Sequence, residues 1–224
     1  MHLFHGLLTS ESVTVGHPDK VADRISDSIL DHCLRQDSLA RVACEALVTR
    51  DLVVIAGEVA GSFTLDPVEI VRKTIADIGY DRADEGFSAE HVEVKVRLQR
   101  QSGDIAQGVD TGGAGDQGLV IGFACDETPE LLPLPIALAH RLARRLHVVR
   151  TEGVLPWLRP DGKTQVTIRY AEGQPVGIDT VVLSAQHEEG VSLEELRAHL
   201  RREVLDRELP AGWADGVSAT WLSP

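Results

Sequence analysis

Between residues 18 and 36, apolar side chains recur three to five positions apart, at Val21, Ile25, Ile29, Leu30, Cys33 and Leu34. Asp23, Arg24, Asp27, Asp31 and Arg35 take the opposite face, so the stretch reads as an amphipathic helix. Pro18 suits its first turn, where a missing N–H costs nothing, and Gly16 lets the chain turn sharply just before it. Residues from Glu11 onward read as a loop delivering Glu11, His17, Asp19 and Lys20 to that helix start. Two strand-like runs follow, ARVACEALVT and LVVIAGEVAG, separated by Arg50 and Asp51, and they form an expected hairpin. In the first, alternation turns Glu45 to the face opposite Cys44. Asp66 before Pro67 opens a helix over 66–79 with Val68, Val71, Ile75 and Ile78 on one stripe and Gly79 at its end. A strictly alternating strand over 92–100 completes the set.

The same order then recurs. A strand QGLVIGFAC (117–125) leads to a helix over 135–150, a hairpin over 163–186, a helix over 192–206 opened by Ser192 with Glu195 three later, and a short strand over 217–222. Two copies of one unit predict an α+β fold of repeated layers with mixed or antiparallel sheets. The hairpins argue against a doubly wound parallel sheet. The expected division is an N-terminal domain over 1–102, a flexible loop over 103–113 and a central domain over 114–224. The last strand leaves a sheet edge that something should pair or cover.

Composition narrows the function classes. The 224 residues are 43% hydrophobic and 25% charged, ordinary globular material long enough for one or two domains. No apolar run approaches the roughly 18 residues of a membrane span, and no basic region precedes a hydrophobic one at the start, so cytoplasm is the expected location. A net charge of -13 disfavours general binding to nucleic acid or to a membrane surface. Arg141, Arg144, Arg145 and His147 are spaced as a solvated helix face. Cys33, Cys44 and Cys125 cannot all pair and lack metal-ligand spacing, so reduced, buried thiols are expected.

Candidate chemistry gathers at a few places. A helix start presents free N–H groups and a partial positive charge, so His17 and Asp19 can serve phosphate and metal together; alternatively Asp19 only caps the helix. GAGDQG formally fits G-x-G-x-x-G, but it follows a polar loop and opens a strand, the wrong context for a dinucleotide fingerprint. No P-loop pattern occurs. Residues 101–115 carry five glycines and few anchors, as a loop able to close over a site or a simple connector would. RPDGK (159–163) reads as a turn placing Asp161 and Lys163 around Gly162, where Lys163 either holds a phosphate or is plain surface. Glu45 and Glu58 are acids within apolar strands and need a partner if buried.

TSESVTVGHPDKVADRISDSILD closely resembles the N-terminal signature of the S-adenosylmethionine synthetases. Further similar blocks follow in the family's order: ACE (43–45), AGE (56–58), QSGDIAQGVD (101–110), GAGDQG (113–118) and LPWLRPDGKTQV (155–166). The resemblance implies three similar α+β domains per subunit, the third missing here, and active sites built between the subunits of a homodimer or dimer of dimers. It implies formation of S-adenosylmethionine from ATP and L-methionine, with two Mg2+ ions and K+. His17, Asp161, Gly162 and Lys163 would meet ATP, with His17 and Lys163 at the reacting phosphates. Asp19 and Glu11 would serve magnesium and Glu45 potassium, while Glu58, Gln101 and Asp116 would bind methionine. Between GVD and GAGDQG only Thr111 and Gly112 remain, so the loop is shorter than the family's. A non-catalytic relative that binds nucleotide, or a full-length subunit, is the alternative.

Overall fold

The structure, a computed structural model, describes residues 4–81, 87–101 and 118–213 and the backbone of 218–222. Its elements begin with β1 (Gly6–Val13), α1 (Pro18–Gln36), β2 (Arg41–Thr49), β3 (Leu52–Ala60), α2 (Pro67–Ile78) and β4 (Glu93–Arg100). The chain continues with α3 (Leu134–Thr151), β5 (Leu158–Ala171), β6 (Gln174–His187), α4 (Leu193–Leu200) and β7 (Ser218–Leu222). They fall into two compact units, one formed by Pro18–Gly122 and the other by Met1–His17 with Phe123–Pro224.

In the first unit β2 and β3 form an antiparallel hairpin, and β4 joins β3 in parallel after the α2 crossover, giving the order β2-β3-β4. Val21, Ile25, Ile29 and Cys33 of α1 are buried with Val53 and Ile55 of β3 and Val71 and Ile75 of α2, which is the apolar stripe read from the sequence. Asp66 accepts a hydrogen bond from Glu69 N (3.1 Å), and Gly79 ends α2 in the left-handed region at φ 112°. The Arg72 guanidinium donates to the carbonyls of Ala89, Glu90 and Val92, tying the approach to β4 onto α2.

The second unit repeats that plan and adds one strand. The β5–β6 hairpin is antiparallel, turning through Glu172 and Gly173 at φ 53° and 75°, and β7 joins β6 in parallel. β1 pairs antiparallel with the free side of β5, so the sheet runs β1-β5-β6-β7. Leu138, Leu142 and Leu146 of α3 and Leu196 and Leu200 of α4 pack with Val166, Ile168 and Leu183 on one face. A Ser192/Glu195 capping box opens α4, which continues through a wide turn over Arg201–Leu205. Glu127 accepts from Leu134 N (2.9 Å) and Tyr170 OH (2.6 Å), fixing the start of α3 to the sheet.

Four expectations need correction. The residues leading to α1 are not all loop, because Glu11 lies inside β1, where its backbone is paired opposite Gln165. Residues 118–125 form no strand; they run irregularly, and Gln117 lies outside the described residues. RPDGK is no turn but part of β5. Finally, Cys33 and Cys44 are buried free thiols, whereas Cys125 is only half-buried. Burial, then the Glu45 charge, pushes the Cys44 thiol up to about 11, so it stays protonated.

Gly57 sits at φ 144°, and a Cβ there would lie 1.9 Å from the Ala43 carbonyl oxygen. Gly57→Ala should therefore cost roughly 2–4 kcal/mol, combining a disfavoured φ with overpacking of backbone, measured by denaturant unfolding against wild type.

Candidate active site

The polar cleft of the second unit grows out of an irregularity in β5. Between the pairs Leu158↔His187 and Gly162↔Ala185, β5 carries two more residues than β6. Pro160 has no N–H to give a ladder, so the strand bulges where it stands. Thr14 clasps the bulge from the end of β1. Its amide donates to Gly162 O (2.8 Å), and its buried hydroxyl lies 2.7 Å from Pro160 O and 3.2 Å from Gly162 O. Gly16 passes so close that a Cβ would sit 2.4 Å from the Pro160 carbonyl carbon, so only glycine lets the chain through here. His17 N then donates to Thr14 O (3.1 Å).

The result is an open cleft of about 150 Å³ lined by His17, Asp161, Gly162, Lys163, Ser184 and Gln186. Residues from opposite ends of the chain thus meet. Lys163 pairs with Val13 on one side and Ser184 on the other, on the sheet face away from the α3 core. Its ammonium contacts the Glu11 carboxylate at 2.8 Å, both groups being partly exposed. Burial holds the Asp161 carboxyl above the usual range, while His17 and the Gly162 amide pull it part of the way back. A cation, a backbone bulge and a carboxyl on a strained proton balance form a site suited to a polar, anionic ligand.

The remaining candidates lie in the first unit. Asp19 stands in the opening turn of α1, where the helix dipole favours its charge. Glu45 and Glu58 do not lie buried among apolar neighbours: Glu45 is exposed and Glu58 half-buried, opposite Ala56 and Ala43. Gln101 N donates to Val59 O (3.1 Å), which brings Gln101 beside the Glu58 end of β3. Its side-chain oxygen is buried without a hydrogen-bond partner. Asp116 and most of the glycine-rich stretch lie outside the described residues.

Among the described residues no three His, Cys, Asp or Glu side chains gather into a metal cage. A single carboxylate ligand, such as Asp19 could supply, fits an ion like magnesium that takes its other ligands from phosphate and water. Glu45, opposite an alanine, would need its potassium ligands completed from outside this unit.

Sequence reading missed Ser184 and Gln186. Gln186 carries a buried side-chain oxygen with no partner and lines the cleft. Alternation along β6 puts both on the Lys163 face, but only the register across from Lys163 reveals which face that is.

No described helix is long and apolar enough to cross a membrane. Residues 5–103 match the N-terminal domain of S-adenosylmethionine synthetase, and residues 111–222 match its central domain. The chain is 54% identical over 232 residues to an S-adenosylmethionine synthase of Desulforudis audaxviator (strain MP104C), covering 97% of this chain and 59% of that protein. The chain thus spans about three-fifths of the length of that relative. With both domains matched in order and a relative 54% identical over 97% of its length, the chain belongs to the S-adenosylmethionine synthetase family.

Proposed function

We propose that this chain supplies the nucleotide-binding part of a methionine adenosyltransferase. In that reaction the methionine sulfur attacks C5′ of ATP, S-adenosylmethionine forms, and the expelled tripolyphosphate is hydrolysed to phosphate and diphosphate. The observation that carries the reading is the meeting of His17 with Asp161, Gly162 and Lys163 in one cleft, from segments far apart in the chain.

The chemistry concentrates negative charge on the leaving oxygens, so fixed positive groups there lower the barrier most. Lys163 would exchange its Glu11 partner for a phosphate oxygen, and His17 would donate to the phosphate nearest the breaking bond. The Asp161 carboxyl and the Gly162 backbone would orient the nucleoside. Bound magnesium would neutralise phosphate charge, with Asp19 and Glu11 as its protein carboxylates, and Glu45 would help hold potassium. Glu58, Gln101 and Asp116 would receive methionine; the orphan oxygen of Gln101 suits an ammonium donor. The family's homodimer or dimer of dimers, and a cytoplasmic setting, complete the proposal. In the alternative the chain is a non-catalytic relative that binds nucleotide or a full-length subunit.

Supplying ATP, methionine, magnesium and potassium, with and without the remaining segment of the Desulforudis audaxviator synthase, separates the two. S-adenosylmethionine only after complementation supports the transferase; nucleotide binding without product in either case supports the alternative. Lys163→Ala should weaken ATP binding about 10–100-fold by calorimetry, the worth of one charge-assisted hydrogen bond, with the circular dichroism unchanged. Unaltered affinity would remove Lys163 from the site.

Asp161 also has a pH signature. Its proton is held more tightly in the folded than in the unfolded chain. That stability is fully present below the unfolded carboxyl's pKa and is lost as pH rises through the higher folded value. Wild type should therefore lose stability relative to Asp161→Asn as pH rises from the unfolded carboxyl's pKa of about 4 through the higher folded value, read from paired urea melts.

A further inference from the structure

The spacing of Arg141, Arg144 and Arg145 suits a plain solvated helix face, but the structure makes a groove of it. α3 buries Leu138, Leu142, Ala143, Leu146 and Val149 against the sheet. The three arginines, three and four positions apart, therefore share its outer side. Glu130 from the turn before α3 and Glu208 from the short helix Asp206–Glu208 stand beside them. With Val148 these residues line an open groove of about 360 Å³. It has no lining residue in common with the cleft, which lies on the other face of the sheet.

The arginines are held to different degrees. Arg145 donates from Nε to Glu203 O (2.8 Å), a carbonyl of the wide turn over Arg201–Leu205. Wide turns of this π type are rare and gather at functional sites, and this one forms where it grips an arginine of the groove. Arg141 meets Glu208 at 3.5 Å in a partly exposed pair, weak and exchangeable in water. Arg144 is exposed and makes no ion pair or hydrogen bond among the described residues. Three guanidinium groups against two carboxylates leave the groove net positive in a chain of formal charge -13. The local field shows at Glu203, whose carboxyl is held below the usual range by a hydrogen bond from Arg202 and by the charges of Arg202, Arg207 and Arg145.

We propose that this groove binds a diphosphate group, either as the free ion or carried on a nucleoside. Guanidinium groups present planar pairs of donors that match phosphate oxygens. Side chains at this helical spacing start about 5–6 Å apart, so one carboxylate cannot serve all three, whereas linked phosphates spread enough oxygens to do so. The volume lies at the small end of ligand sites, as a compact anion requires. Glu208 yields Arg141 to the ligand, and the two glutamates reject anions too small to engage the arginines directly. None of these residues belongs to the cleft, so the inference stands apart from the transferase reading.

The test is a titration of the full chain with inorganic diphosphate in magnesium-free buffer, following the arginine Nε–H signals by NMR and the affinity by calorimetry. The signals of Arg141, Arg144 and Arg145 should shift together and saturate. Arg144→Ala, an exposed change that should leave the circular dichroism as it is, should weaken this binding about 10–100-fold, the worth of one charge-assisted contact. Lys163→Ala should leave it unchanged, which separates the groove from the cleft. Repeating the titration with ADP on the Lys163→Ala protein distinguishes the two sources: tighter binding of the free ion or of the nucleotide assigns the carrier, and either result supports the diphosphate site. Arginine signals that stay still at millimolar diphosphate would overturn the proposal. So would equal shifts in sulfate of the same ionic strength, or an affinity that Arg144→Ala leaves intact.

Discussion

The clasp of Thr14 on the β5 bulge is the contact on which the cleft depends. One residue satisfies two carbonyls that the bulge removes from the sheet ladder, and it does so across 146 and 148 positions of sequence. A buried carbonyl left without a donor costs about 1–3 kcal/mol, so the bulge, the end of β1 and the approach to His17 are held as one arrangement. Gly16 then allows the two backbones to touch. Without this join, the stretch from Val13 to His17 would not be fixed against the Pro160–Gly162 bulge.

Both copies solve the same packing problem in the same way. Helices cover one face of each sheet, and the polar residues of interest stand on the other. Lys163, Ser184 and Gln186 do so in one unit, Glu45 and Glu58 in the other. The buried face has no room for groups that must meet a solvated ligand, because such groups would need partners that aliphatic neighbours cannot offer. The candidate polar residues are therefore segregated from the core by strand parity, and a shift of register by one residue would exchange the two sets.

Electrostatics at the cleft runs against the chain's average. With a formal net charge of -13, the molecule as a whole repels anions, yet the cleft brings Lys163 and His17 together. Glu11 keeps the lysine neutralised at 2.8 Å, an exchangeable partner in water because neither group is deeply buried.

The amino-acid sequence by itself determined α1 and α2 with their Pro18, Asp66 and Gly79 boundaries, both hairpins, the Ser192 capping box, the repeated α+β order and the family. These are local signals: periodicity, turn chemistry and literal motifs act within about one element's length. Only the tertiary structure decided that residues 6–13 are a strand, since GLLTSESV gains that state from the edge of β5 far along the chain. It also decided that Pro160-Asp161-Gly162 makes a bulge where turn chemistry read alone suggests a reversal, and that Ser184 and Gln186 share the cleft. GLVIGFAC shows the converse, a run with every strand propensity that forms none here, because backbone amides in an extended segment pair only when another strand offers its edge.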